Sequence, residues 1–172
     1  ACVDTSAFVA ASATLGSGVE VREEATVRDR SALGLWSLVG DEGLVGHDAV
    51  LGALVQVCDE AMVSDRAELA DDVTIGAETS VGFDAEVGAG VFVGAEGWLA
   101  DRSVVGDRAR LGQEVVLGHD ASVGAGAVLG NEVELGDRAV VGEGAVLGDE
   151  VVLANDAVVP AGAIVPAGTY VP

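Results

Sequence analysis

The chain has 172 residues, half of them apolar but only 3% aromatic, with 25 glycines and a net charge of −21 from 29 acidic and eight basic side chains, all of the latter Arg. One domain spanning 1–172 fits that length, and the apolar half of the chain excludes disorder, while the shortage of rings excludes an ordinary aromatic-rich core. The acidity excludes nucleic acid as a partner, and the absence of any apolar run near the roughly 18 residues of a spanning helix excludes membrane insertion.

From the N-terminus, the predicted elements are hexads. The column opened by Val3, Val9 and Leu15 continues every sixth residue to Val171, and all 29 members are Leu, Val or Ile. With that residue as position 1, Gly fills position 2 in seventeen hexads, and position 5 is always Ala, Val, Ser, Thr or Gly. No charged residue falls at position 1 or 5. A period of six is neither helical nor simple strand alternation. It predicts a short strand with positions 5 and 1 inward and position 6 outward, followed by a corner at positions 2 to 4. Corners such as Gly136-Asp137-Arg138, Gly124-Ala125-Gly126 and Pro160-Ala161-Gly162 carry turn chemistry, with Asx side chains expected to bond their own turn.

This pattern of an aliphatic residue, a Gly or small residue, two variable positions and a small residue resembles the hexapeptide-repeat family across essentially the whole chain. The resemblance implies an all-β fold: a left-handed parallel β-helix, a triangular prism of about nine and a half 18-residue coils without insertion loops. Two corner columns support the 18-residue coil independently. Glu24, Glu42, Glu60, Glu78, Glu96, Glu114, Glu132 and Glu150 form one, and the other alternates Arg30, Asp48, Arg66, Asp84, Arg102, Asp120, Arg138 and Asp156. The second is expected to be a salt-bridge ladder. In the first, charges about 5 Å apart repel by roughly 0.8 kcal/mol per pair in water, which Ca²⁺ or a partner's Arg row would offset. No other cofactor is expected.

The resemblance also implies a trimer with its active site between subunits. Acyltransferases of the family use a His base, and carbonic anhydrases hold zinc with three His. Here only His47 and His119 are present, in one corner column about 19 Å apart, too far to share a metal. Each is followed by Asp, and both read as solvated turn residues, so no catalytic residue is expected. Gly88, Gly90 and Gly94 echo a phosphate loop, but they are corner glycines with no helix after them. Cys2 and Cys58, roughly 15 Å apart, are expected to be free thiols or links between subunits.

All six aromatics are predicted outside the core. Phe8, Leu44, Met62, Trp98, Val116, Val152 and Tyr170 share one outward column, with Phe83 at its adjoining corner. Leu35, Trp36, Leu38, Val50 and Leu54 gather around another corner, and Phe92 is predicted outward. Exposed apolar patches of this kind mark protein contacts. Strand edges at the ends of such a column invite pairing, although Pro160, Pro166 and Pro172 blunt one of them. The expectation is a non-catalytic, self-associating structural protein, the building block of a filament, sheath or surface assembly in an extracellular or cell-surface setting. The alternatives are a trimeric acyltransferase-like or γ-type carbonic-anhydrase-like enzyme and an idealised, engineered repeat without evolved function.

Overall fold

A computed structural model describes all 172 residues. It has no helix, and so none long and apolar enough to cross a membrane. Twenty-nine two-residue strands stack into three parallel sheets of ten, ten and nine. Face 1 begins with Cys2–Val3, face 2 with Phe8–Val9 and face 3 with Thr14–Leu15. Each strand pairs with the strand 18 residues on, as Cys2 with Glu20, Phe8 with Thr26 and Thr14 with Ala32. The result is a three-sided prism of about nine coils.

Burial follows the hexad. Positions 5 and 1 line a core of 42 residues, all Val, Leu, Ile or Ala, while position 6 faces outward. All six aromatics lie outside it, from Phe83 and Phe92 at 46% exposure to Trp36 at 66%. The prism is narrow because position 5 is small. Ala49, Ala61 and Ala85 are fully buried, and a longer side chain there would meet the opposite walls.

Hydrogen bonding explains the corners. The position-6 and position-2 amides donate to the following coil, as Phe8 N–H to Ala25 O (2.9 Å) and Ala10 N–H to Val27 O (2.8 Å). The position-4 amide donates to the preceding coil, as Glu60 N–H to Asp41 O (2.8 Å). That reversal requires position 4 to turn left-handed. Every position-4 residue from Gly18 to Gly168 does so, twenty of them not glycine, with φ between 54° and 76°. A left-handed conformation costs an L-residue on the order of 1–2 kcal/mol, and each instance is held by the coil above and below it.

The position-3 amide has no backbone partner. Nine Asx side chains supply one, each accepting from the residue 18 earlier: Asp65 Oδ1 from His47 N–H (2.8 Å), Asp101 Oδ1 from Phe83 N–H (3.0 Å), Asp137 Oδ1 from His119 N–H (2.9 Å). The expectation that Asx residues bond their own turn is therefore corrected. Only Asp4, through Ser6, does so. Position-2 glycine has a different cause from position-4 glycine. A Cβ on Gly40 would stand 2.4 Å from Asp59 Oδ1 and 2.7 Å from Asp59 N, so it is close stacking of the next coil that excludes a side chain there.

Candidate functional site

The corner between faces 2 and 3 concentrates the chemistry. Its position-3 column reads Asp29, His47, Asp65, Phe83, Asp101, His119, Asp137 and Asn155, and beside it runs the Arg/Asp column. Each histidine is stacked between two aspartates. The upper one, Asp65 or Asp137, takes the histidine's own amide and fixes its backbone. The lower one presents a carboxylate to the ring: His47 Nδ1 lies 3.9 Å from Asp29 Oδ2, and His119 Nδ1 lies 3.9 Å from Asp101 Oδ2.

Both lower carboxylates are anchored through their other oxygen. Asp29 Oδ1 accepts from Ser12 Oγ–H (2.9 Å) and Asp101 Oδ1 from Phe83 N–H (3.0 Å). A separation of 3.9 Å is too long for a hydrogen bond, but it places a negative charge where an imidazolium would form. Nδ1 is the ring nitrogen on the side of that carboxylate. Neither imidazole makes a side-chain hydrogen bond, and their side chains are 37% and 55% exposed.

The two sites are copies. Asp29-Arg30-Ser31 with His47-Asp48-Ala49 recurs 72 residues later as Asp101-Arg102-Ser103 with His119-Asp120-Ala121. This recurrence was the available signal for Asp29 and Asp101, which sequence reasoning missed by weighing each histidine against its next residue alone. Ser31 Oγ donates to Arg28 O at 2.7 Å, whereas the buried Ser103 Oγ has no partner.

The Arg/Asp column is not a continuous ladder. Each arginine grips only the aspartate 18 residues on, through two bonds: Arg30 to Asp48 at 2.7 and 2.6 Å, Arg66 to Asp84 at 2.7 and 2.6 Å. Arg102–Asp120 and Arg138–Asp156 repeat the geometry. A carboxylate that accepts both prongs of one guanidinium has no edge left for the arginine above it. The bonds from the arginines hold these four carboxylates below the ordinary 3.8.

The eight glutamates of the other column are all exposed, with φ of 54–59°. No group of three or more His, Cys, Asp or Glu is arranged to hold a metal ion. Cys2 and Cys58 are free, and burial, followed by the charge of Asp59, pushes the Cys58 thiol up. On face 2, Phe8, Met62, Trp98, Val116 and Tyr170 are exposed while Leu44 and Val152 are half-buried, and Thr26, Ser80 and Glu134 interrupt the column. Leu35, Trp36 and Leu54 are exposed at their corner, with Leu38 half-buried beside them.

No protein-family model matches the sequence, and no curated protein does. Solved structures do. A UDP-N-acetylglucosamine acyltransferase from Bacteroides fragilis matches with a TM-score of 0.78 at 16% identity, over 97% of this chain and 66% of that one. The Francisella novicida UDP-N-acetylglucosamine acyltransferase matches at 0.77 and 16%, over 91% of this chain and 62% of its own length. That from Campylobacter jejuni matches at 0.62 and 20%, over 92% and 69%. The chain has the left-handed β-helix of the hexapeptide-repeat proteins. It spans just under two thirds of the first two structures.

The same comparison corrects the functional expectation. The three solved structures are acyltransferases, so the expectation of a non-catalytic filament or sheath protein runs against them. The reading of both histidines as plain turn residues considered only partners within one coil, and the stacked carboxylates come from the coil below.

Proposed function

We propose that the chain is the β-helical body of an acyltransferase-like enzyme, with His47 and His119 as two equivalent general bases. The observation that carries this reading is the duplicated Asp–His stack, Asp29 under His47 and Asp101 under His119, on a fold whose solved examples include acyltransferases. In the reaction, Nε2 takes the proton from an acceptor hydroxyl or amine as that group attacks an activated acyl carbonyl such as a thioester. The carbon–sulfur bond then breaks, and the thiolate leaves with the proton returned from the imidazolium. The aspartate stabilises the imidazolium during that interval, and Asp65 or Asp137 holds the histidine's backbone still. The zinc reading has less support, because the two histidines are four coils apart in one chain. Self-association as a trimer would bring a neighbouring face against the corner and exclude water from it, with the apolar residues of face 2, Trp98 foremost, as contacts.

The test is acyl transfer from acyl thioesters of graded chain length to amine and hydroxyl acceptors, followed by mass spectrometry of the product. His47→Asn with His119→Asn is expected to lower turnover by about 10²–10⁴-fold, and either single change to leave roughly half, since the sites are independent copies. Undiminished turnover in the double variant would refute the assignment.

A further inference from the structure

The corner between faces 3 and 1 lies opposite face 2, and its position-4 column differs from the other two. In chain order it reads Gly18, Trp36, Leu54, Asp72, Gly90, Arg108, Gly126, Gly144 and Gly162. Of the twenty non-glycine residues that turn left-handed in the molecule, Trp36 and Leu54 alone are apolar. They are 66% and 52% exposed, with Leu35 beside them at 51%, and exposed apolar groups of that size on one ridge mark a contact surface. Further along, Asp72 and Arg108 flank Gly90 with opposite charges, and neither takes part in an ion pair.

The other end of the column is bare. A Cβ on Gly126, Gly144 or Gly162 would meet nothing within 4 Å, so three successive coils present open backbone. The column is thus ordered about its central member. One coil to either side of Gly90 stand Asp72 and Arg108, two coils away Leu54 and Gly126, and three coils away Trp36 and Gly144. Each protruding side chain therefore has either the opposite charge or an open glycine at the mirrored height.

We propose that this corner pairs with the same corner of a second copy of the chain, antiparallel, with a twofold axis at Gly90. Residues equally far from the axis then meet. Each Asp72 faces Arg108 of the second copy, which gives two ion pairs and fixes the register. Leu54 and Trp36 lie on the open backbone of Gly126 and Gly144 of the second copy as apolar anchors. The Trp36 ring leans over its own Gly18, which brings it between Gly144 and Gly162 across the axis. A parallel pairing fails, since it sets Asp72 against Asp72 and Arg108 against Arg108. Asp71 and Asp107 do oppose each other in the antiparallel pair, and each copy carries −21. Both carboxylates are already occupied by an amide, from Ala53 at 2.7 Å and Ala89 at 2.9 Å, and charges beyond about 8 Å are screened at physiological salt. From Trp36 to Gly144 the contact spans about 29 Å at roughly 4.8 Å per coil. It is one corner wide, the scale of a reversible complex and not of an obligate dimer.

Sedimentation equilibrium at about 0.15 M salt tests the pairing. Because face 2 stays free, pairing doubles whatever mass the chain has when dilute. The native chain is expected to double in mass as its concentration rises. Asp72→Arg alone and Arg108→Asp alone set like charges across the axis, and each is expected to stay at the dilute mass. An equimolar mixture of those two chains restores both opposite-charge contacts and doubles again, as does the chain carrying both changes. Trp36→Ala with Leu54→Ala weakens pairing at least tenfold. All four side chains are exposed, so every variant should melt as the native chain does by circular dichroism. A native chain that never doubles, single charge variants that double as it does, or a mixture that stays at the dilute mass overturns the interface. The corner stands apart from His47 and His119, so neither result bears on acyl transfer.

Discussion

The corner that carries the glutamate column and the corner that carries the Arg/Asp column have one backbone and two chemistries. φ is 54–59° along the glutamates and 56–62° along Arg30 to Asp156. In both, the position-4 amide bonds the coil below, as Glu78 N–H to Asp59 O (3.1 Å) and Arg66 N–H to His47 O (2.9 Å). The left-handed turn is therefore imposed by stacking, not chosen by the side chain, since both columns consist of residues that take it at a cost. What differs is compensation. The Arg/Asp corner closes into four discrete two-pronged pairs, while the glutamate corner leaves eight like charges in file. A scaffold that holds its shape under either pattern can devote a corner to binding or catalysis.

The largest expected effect removes what the corners share. Ala85→Leu overfills the common core and should cost about 1–3 kcal/mol by denaturant unfolding. An unchanged midpoint would mean that packing inside the prism does not support the corners. Next, within the Asp–His corner, Ser103→Ala deletes a buried hydroxyl without a partner and should stabilise by about 1 kcal/mol, whereas Ser31→Ala forfeits the bond to Arg28 O and should gain nothing. Equal shifts would erase that difference between the two copies.

Smaller still, Glu60→Gly relieves a left-handed backbone and one link in the file of like charges. It is expected to raise the thermal midpoint slightly, after the flexibility of glycine is deducted. Asp84→Gly gains the same backbone relief but loses both bonds from Arg66, so its midpoint should fall below that of Glu60→Gly. Matching midpoints would show the pair to be idle. Acid gives the gentlest test. Because the arginines depress Asp48, Asp84, Asp120 and Asp156 below 3.8, their contribution is complete above that value and lost as pH falls through the lower folded values. Replacing Arg30, Arg66, Arg102 and Arg138 by Gln should flatten the stability profile in that acidic window.

Much of this was legible in the residues alone. Val9 to Val171 at position 1 and Ala49, Val55 and Ala61 at position 5 identify the core, and Glu24 to Glu150 reveal the coil length. The candidate site was only half legible. His47 and His119 were visible, but their partners Asp29 and Asp101 sit 18 residues earlier, and only stacking brings the carboxylate to the ring. Trp98 and Trp36 were rightly placed outside, yet the column containing Trp98 is broken by Ser80 and Glu134.

The sequence by itself determined the hexad, the aliphatic lining and the vertical columns, because period and side-chain size are properties of the chain read along its length. Only the tertiary structure decided that charged corner residues turn left-handed, that nine Asx side chains serve the coil below, and that Arg30, Arg66, Arg102 and Arg138 each grip one aspartate alone. Those outcomes depend on the direction a side chain takes between residues 18 or 19 apart, which is set by how one coil lies on the next.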